Sequence, residues 1–244
     1  MKAETQFNDV EYDFAYPDGI EHSYWNTARN KIILNRIKAH HINHILDVGC
    51  GRGIVTSYLY NNQINISGVE LGKTTPISNT NVPILFNTDA VTIPLEQANQ
   101  IISISLFDVI EHIEYPVRFI NGLVSHFKNA EYLVITVPAL QSLWSNFDVY
   151  YGHYKRYDLE GINAVMKEAG FDVIENRYFF NSLALLMKLS SMVFKNRMIQ
   201  FNVPHGIIKM VHAILGYLFY LEMLILPGNL PGSSIICIAK KSKV

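Results

Sequence analysis

The sequence predicts an α/β domain with a seven-stranded, mostly parallel sheet, helices on both faces and a helical insertion before the last strand. Short apolar runs alternate with helical segments from about residue 43 to 182, which is typical of repeated strand–helix units. Several of these runs are continuously apolar, as strands covered on both faces are. The last strand, 233–239, is separated from the others by a long apolar helical segment.

The elements can be assigned in chain order. A helix is predicted over residues 23–38, because isoleucines recur there at helical spacing. The first strand ends at a glycine and is followed by a helix at 54–61. Gly170 is the predicted cap of a helix at 159–169. The remaining helix is expected at 116–128, and the strands at 44–48, 64–70, 83–87, 100–105, 132–137, 171–180 and 233–239.

This pattern divides the chain into four segments. We expect 1–42 to be a helical lead-in or lid, 43–182 the ligand-binding core, 183–230 an apolar helical cap and 231–244 the final strand of the core. The 20-residue stretch 207–226 is long enough to span a bilayer, but it carries two charged residues and a histidine. We therefore expect a buried or interfacial helix, with a membrane-surface contact, a homodimer surface or a true span as alternatives.

Composition excludes several classes of protein. The net charge of −1 gives no basic excess, so a nucleic-acid partner is not expected. The two cysteines, Cys50 and Cys237, do not suggest a disulfide framework, and the polar N-terminus does not resemble a secretory signal. We expect a cytoplasmic protein that could lie peripherally at the inner face of the membrane.

The most specific motif is the glycine loop after the first strand, residues 45–53 (Ile-Leu-Asp-Val-Gly-Cys-Gly-Arg-Gly). Gly49 permits a tight turn, Gly51 lets the main chain approach a ligand, and Gly53 lets the next helix pack closely. A dinucleotide site would need another glycine at position 54, which is isoleucine, so a nicotinamide-dependent oxidoreductase is disfavoured. The spacing, preceded by Asp47, is instead typical of S-adenosylmethionine binding.

Two acidic positions fit the same ligand. Glu70 ends the second strand about 20 residues beyond the loop, where an acid can bind ribose hydroxyls. Asp89 and Ala90 follow the third strand and could bind the adenine amino group and ring. Each feature alone could be an ordinary turn or a solvated acid. Three in order, at the edge where ligands bind open parallel sheets, predict a cofactor site.

Together with residues 107–112 (Phe-Asp-Val-Ile-Glu-His), these motifs resemble the class I S-adenosylmethionine-dependent methyltransferase superfamily, over roughly residues 43 to 180. The likeness is greatest to bacterial small-molecule methyltransferases, including the ubiquinone-pathway type, and implies a Rossmann-like core. The stretches 137–145 and 152–157 resemble an uncharacterised branch whose members often accompany cell-envelope or polysaccharide genes. That implies a glycan or lipid-linked acceptor.

The resemblance implies S-adenosylmethionine as cofactor and S-adenosylhomocysteine as product. The glycine loop would hold the methionine end, Glu70 the ribose and Asp89 the adenine. Residues 106–108 would line the sulfonium side, although Phe107 departs from many relatives. Arg29 could pair with the cofactor carboxylate, with ordinary helix packing as the alternative. The implied cofactor-binding residues are Asp47, Gly49, Cys50, Gly51, Gly53, Glu70, Leu71, Asp89, Ala90, Leu106, Phe107, Asp108 and Arg29.

The acceptor side is less specific. His153, Arg156 and Tyr157 could bind an anionic acceptor, unless Arg156 pairs with Asp158 or another acid. Trp144 and Tyr151 could line the acceptor pocket or could serve only in packing. His112 could be a general base or a structural histidine. No cluster has metal-ligand spacing along the chain, so we predict no metal.

These observations predict methyl transfer to oxygen, nitrogen or carbon of a small-molecule, glycan or lipid-linked acceptor, with O-methylation slightly favoured. The alternative is a non-catalytic regulatory module that binds S-adenosylmethionine on the same fold. An intact glycine loop with Asp47 and Glu70 disfavours that alternative.

Overall fold

In a computed structural model, which describes residues 16–77, 81–194, 196–199 and 202–243, seven strands form one mixed sheet in the order β3-β2-β1-β4-β5-β7-β6. The first five strands are parallel, and the last strand runs antiparallel between β5 and β6. The predicted mostly parallel sheet is confirmed. The strands are β1 (Ile45–Val48), β2 (Ile66–Val69), β3 (Ile84–Leu85), β4 (Ser103–Phe107), β5 (Tyr132–Pro138), β6 (Phe171–Phe179) and β7 (Ser234–Lys241).

Helices cover both faces of the sheet, as predicted. One hydrophobic core includes side chains from α4 and α6, and the other includes side chains from α1, α2 and α8. Polar residues set the helix starts. The Ser23 hydroxyl accepts the Asn26 N–H ahead of α1, and Asp158 accepts the Gly161 N–H ahead of α6. The helices are α1 (Tyr24–Ala39), α2 (Ile54–Asn61), α3 (Leu95–Ala98), α4 (Pro116–His126), α5 (Asn146–Tyr150), α6 (Leu159–Glu168), α7 (Asn181–Val193) and α8 (Gly206–Ile225).

Strand β4 ends two residues later than its apolar pattern predicts. Its register with β5 continues from Ser103 opposite Tyr132 to Phe107 opposite Thr136. Leu106 and Phe107 are therefore strand residues, buried in the two opposite cores. The prediction that both follow the strand and line the ligand site is wrong, because pairing with β5 prolongs the strand.

The apolar insertion forms α7 and α8, which are largely exposed. Helix α8 packs on α1 at Gly216, where an added Cβ would lie 2.7 Å from Thr27 Cβ. Its acid, Glu222, accepts the N–H groups of Asn181 and Ser182 and so caps α7. Only 11% of the most apolar part of α8 is buried, so a buried helix is the wrong prediction. By length and composition alone, α8 could cross a membrane.

The lead-in helix α1 lies against α8 and the sheet. Tyr24 contacts His212 and Phe219 of α8, and Trp25 stacks on Phe180. The helix therefore does not close over the ligand site as the predicted lid would. Residues 1–15, which belong to the same predicted lid, lie outside the described residues.

Candidate functional site

A cavity of about 640 Å³ opens at the carboxyl ends of β1, β2 and β4. The glycine loop forms one wall, the residues that follow β2 and β3 form another, and the turn after β4 with α4 closes the far side. Seven of the predicted cofactor-binding residues line it. They are Gly49, Gly51, Glu70, Leu71, Asp89, Ala90 and Asp108, joined by the predicted base His112.

The glycine loop has the backbone that its sequence requires. Gly49, Gly51 and Gly53 have φ values of +73°, +56° and +77°, which glycine adopts without steric cost. An added Cβ at Gly53 would lie 2.4 Å from Ile84, so this glycine serves packing, and it does not line the cavity. The nearest atom to a Cβ at Gly51 is 4.0 Å away, in the Tyr16 ring, so the main chain there is open to a ligand.

Glu70 joins the end of β2 to this loop. Its Oε2 accepts the Gly51 N–H at 2.7 Å, and its Oε1 accepts the Gly72 N–H at 2.8 Å. The side chain is buried but lines the cavity. A carboxylate oxygen can accept more than one hydrogen bond, so a donor group of a ligand in the cavity can also bind Glu70.

Asp47 lies behind the loop rather than in the cavity wall. Its carboxylate accepts the Thr56 hydroxyl at 2.6 Å and the Ser105 hydroxyl at 3.0 Å. Burial raises the pKa of Asp47 to about 6, although these two hydrogen bonds act in the opposite direction. Asp47 thus positions the loop, and its direct contact with a cofactor stays a prediction. Cys50 also points inward, with its Sγ beside Gly68.

Asp89 and Ala90 line the cavity just after β3. The Asp89 carboxylate accepts the Val91 N–H at 3.2 Å and begins the short 3-10 turn Ala90–Thr92. The side chain is half-buried and one carboxylate oxygen has no role in the cap. This arrangement offers an acceptor and an apolar surface to a flat, amino-bearing ring.

Arg29 pairs with Asp108 inside the protein. Its Nη2 lies 2.6 Å from Asp108 Oδ2, and the Thr136 hydroxyl bonds both side chains. Arg29 is 5% exposed and is not among the described residues that line the cavity. The expected pairing of Arg29 with a ligand carboxylate is therefore replaced here by the Asp108 pair.

The acceptor candidates surround a buried acid, Asp148, which the sequence analysis missed. His153 Nδ1 and Arg156 Nε lie 2.9 and 2.8 Å from Asp148 Oδ1. Burial alone would raise the pKa of Asp148, but the hydrogen bonds from His153 and Arg156 outweigh it and lower the pKa to about 2. Arg156 also donates to the Ala139 carbonyl.

Arg156 is therefore not available to an anionic acceptor, and that prediction is wrong. The alternative, pairing with a nearby acid, is what the structure shows.

Tyr157 is also buried, and its hydroxyl donates to the Ile110 carbonyl at 3.2 Å. The Tyr151 hydroxyl donates to the Ile199 carbonyl, and burial raises its pKa to about 12. Trp144 is half-buried away from the cavity, so its acceptor role stays a prediction.

His112 lies at the cavity mouth beside His153. Their ring centroids are 4.7 Å apart in an edge-to-face arrangement. Burial lowers the pKa of His112 to about 3, and the neighbouring His153 acts in the same direction. The ring is therefore neutral near pH 7 and a weak base. Tyr16 also lines the cavity, and its place among the lead-in aromatics was the one sequence signal for it.

The residues present fit S-adenosylmethionine. The cofactor carries a ribose diol and an adenine amino group, which are donors, and Glu70 and Asp89 supply two acceptors in the cavity wall. Gly51 leaves its main chain accessible, and the wall between these acids includes Val69, Leu71 and Val91. An apolar wall of this kind suits a flat heteroaromatic ring.

Comparisons with known proteins agree with this geometry. A family model described as "Methyltransferase domain" matches residues 23–176. No curated protein matches the sequence. Among solved structures, a SAM dependent methyltransferase from Archaeoglobus fulgidus has a TM-score of 0.51 and 20% identity, over 87% of this chain and 94% of that one.

Two further structures share the fold. One is a chain in the complex with the Haloferax volcanii Trm112 methyltransferase activator, with a TM-score of 0.56, 11% identity and 96% coverage of both chains. The other is an N-methyltransferase from Haemonchus contortus, in complex with phosphomonomethylethanolamine and S-adenosylhomocysteine. It has a TM-score of 0.55 and 17% identity, over 98% of this chain and 59% of that one.

Proposed function

Because the chain belongs to the methyltransferase domain family, whose model matches residues 23–176, we propose that this S-adenosylmethionine-dependent methyltransferase methylates an oxygen of a lipid-linked acceptor. The position of Glu70 is the observation that supports cofactor binding. This acid lines the cavity while its two oxygens hold the glycine loop and the turn after β2. A small molecule and a glycan are the other acceptor classes that the sequence favours.

The chain's own residues bind and orient the cofactor. Glu70 accepts hydrogen bonds from the ribose, Asp89 accepts one from the adenine amino group, and the open main chain at Gly51 lets the ligand lie against the loop. When bound, S-adenosylmethionine supplies an electrophilic methyl group on a sulfonium whose departure leaves a neutral thioether. Asp108, neutralised by Arg29, then lies at the edge nearest the cavity mouth.

Alignment, rather than a protein base, supplies most of the acceleration in this account. An in-line displacement gains chiefly from holding the acceptor and the methyl group together in one cavity. His112 is a histidine in the cavity wall, but its pKa of about 3 makes it a poor proton acceptor at neutral pH. His112 therefore shapes the mouth and contacts the acceptor.

A lipid-linked acceptor follows from the surface of the insertion. Helices α7 and α8 expose many large apolar side chains. Residues 181–225 contain four lysines and arginines and a single acid, Glu222, which caps α7. An exposed apolar surface with a positive balance suits an anionic membrane surface. We place the protein at the cytoplasmic face of a membrane, where that acceptor would be presented. The exposed residues include Leu185, Leu189, Met192, Val193, Phe194, Ile207, Met210, Ile214 and Leu218.

The test is the release of S-adenosylhomocysteine from the purified full chain, offered membrane-lipid extract or aqueous metabolite extract. We expect turnover with the lipid extract, and alkali-stable methyl incorporation into a lipid fraction. Turnover only with the aqueous extract would overturn the lipid-linked acceptor. S-adenosylmethionine binding without turnover in any extract would favour the regulatory module.

A further inference from the structure

We propose that Glu111, His112 and His153 form a binding site for a divalent transition-metal ion at the mouth of the cofactor cavity. Each residue offers one ligand atom, and these atoms all lie within 4.8 Å of one another. The inference extends the proposed function, on which its catalytic role rests. The sequence analysis predicted no metal because the two histidines are about 40 residues apart, and the fold brings them together.

Two contacts hold the halves of this cluster in place. Glu111 and His112 belong to the 3-10 turn Ile110–His112 after β4, and His153 follows α5. The Tyr154 N–H donates to the Glu111 carbonyl at 2.7 Å, and the Tyr157 hydroxyl donates to the Ile110 carbonyl at 3.2 Å. The turn and the segment 153–157 are thus fixed against each other before any ion binds.

His153 is oriented as metal-binding histidines usually are. Its Nδ1 lies 2.9 Å from Asp148, a carboxylate with 0% exposure that is also held by Arg156. Because an ionised carboxylate only accepts, Nδ1 carries the proton and Nε2 keeps its lone pair. A carboxylate behind a ligating imidazole fixes its tautomer and raises its basicity. This gives the buried pair of Asp148 and Arg156 a positioning role.

The burial of Glu111 is a second, independent observation that favours a cation at this place. The side chain is 1% exposed, and its Oε2 has no hydrogen-bond partner. Glu111 forms no ion pair with another described residue, whereas nearby Asp108 and Asp148 are paired with Arg29 and Arg156. A buried carboxylate oxygen without a partner is destabilising, and a bound cation would give Glu111 a partner.

The ligand set indicates the class of ion. Two imidazoles and one carboxylate suit Zn²⁺, Mn²⁺, Fe²⁺ or Co²⁺ better than Ca²⁺ or Mg²⁺, which prefer oxygen ligands. Three protein ligands leave at least one coordination position open, as in catalytic rather than structural sites. His112 also lines the cavity, so the open position faces the space where acceptor and cofactor meet.

The ion would activate a hydroxyl group of the acceptor. An acceptor hydroxyl oxygen bound at the open position has a lowered pKa and releases its proton to solvent water. The oxygen then forms a bond to the methyl carbon as the bond from that carbon to sulfur breaks, and the electron pair stays on sulfur. The products are a methyl ether, neutral S-adenosylhomocysteine and one proton.

The test is titration of the EDTA-treated full chain with Co²⁺, followed by visible d–d absorption and by calorimetry with Zn²⁺. We expect one ion per chain. Glu111→Gln and His153→Ala should weaken binding at least a hundredfold, and Asp148→Asn about tenfold, through its effect on His153. His126→Ala is the matched control, because the His126 ring bonds the Ile93 carbonyl away from the cavity, and it should bind like wild type.

Calorimetry with S-adenosylmethionine separates this inference from the proposed function. Cofactor binding without any metal binding by the folded wild type, or metal binding unchanged in the folded His153→Ala variant, would overturn the metal site alone. Absence of cofactor binding would overturn the proposed function whether or not Co²⁺ binds. Thermal unfolding of each variant verifies that it is folded. If Glu111→Gln does not fold, the metal affinity of Asp148→Asn provides the test instead.

Discussion

The Glu70 carboxylate accepts the main-chain N–H of Gly51 at 2.7 Å, which ties the end of β2 to the glycine loop after β1. The two residues come from separate motifs about 20 positions apart, and both line the cavity. The same acid therefore shapes the loop and presents acceptors to the ligand.

Replacing Glu70 by glutamine should abolish cofactor binding with a smaller effect on folding. The amide keeps the size of the side chain but replaces one acceptor oxygen by a donor that faces the ribose or the loop N–H. Wild type at a hundredfold excess of S-adenosylmethionine over its Kd should gain about 2.7 kcal/mol in thermal denaturation, and Glu70→Gln almost none. Glu131→Gln, a change at an exposed acid, should retain the full gain. Equal gains in both variants would show that Glu70 is not a ligand.

Gly51→Ala and Gly170→Ala form a matched pair. Both glycines have positive φ, +56° and +81°, so alanine should cost each protein about 1 kcal/mol of stability. A Cβ at Gly170 meets nothing within 4 Å, whereas a Cβ at Gly51 would project toward the ligand. We expect at least tenfold weaker cofactor binding in calorimetry for Gly51→Ala alone. Equal affinities would mean that the ligand does not approach the loop at this position.

The raised pKa of Asp47 makes stability depend on pH. The folded state retains the proton up to about pH 6, while the unfolded chain releases it near pH 4, so this group's contribution falls as pH rises between these values. Wild type should therefore lose about 2 kcal/mol relative to Asp47→Asn between pH 4.5 and pH 7.5. Urea denaturation of both proteins at the two pH values measures it. A constant difference between them would contradict a raised pKa.

The insertion should bind anionic vesicles. Wild type should sediment with phosphatidylglycerol vesicles, less with phosphatidylcholine, and less at high salt. Ile207→Glu/Ile214→Glu changes two exposed residues of α8 and should reduce the bound fraction at least tenfold. Leu95→Glu/Ile174→Glu changes exposed apolar residues outside the insertion and should bind like wild type. A stable dimer by ultracentrifugation that the α8 variant disrupts, without vesicle binding, would assign the surface to a second copy instead.

The sequence predicted the sheet, the glycine loop and the acids that follow β2 and β3, because these features are local. Gly49, Gly51 and Glu70 are recognisable from spacing along one strand–loop–helix unit. The end of β4 could not be recognised in this way, because its register with β5, and not its apolar pattern, determines where the strand ends. The sequence could not decide between a buried and an interfacial α8, because a helix that is apolar all round fits both environments.

The ion-pair partners of the charged residues could not be predicted from the sequence either. Arg156 pairs with Asp148, and Arg29 pairs with Asp108 across nearly 80 positions. No periodicity encodes such contacts, since they depend on how α1, β4 and the segment after β5 pack. The cluster of Glu111, His112 and His153 was hidden for the same reason.

The central claim is that Glu70 and the glycine loop together bind one S-adenosylmethionine molecule. A crystal structure of the full chain with S-adenosylhomocysteine tests it most directly. The account predicts the ribose hydroxyls within hydrogen-bond distance of both Glu70 oxygens, the adenine beside Asp89 and the sulfur facing Asp108 and the cavity mouth. A ligand bound elsewhere, or a ribose with no contact to Glu70, would contradict it.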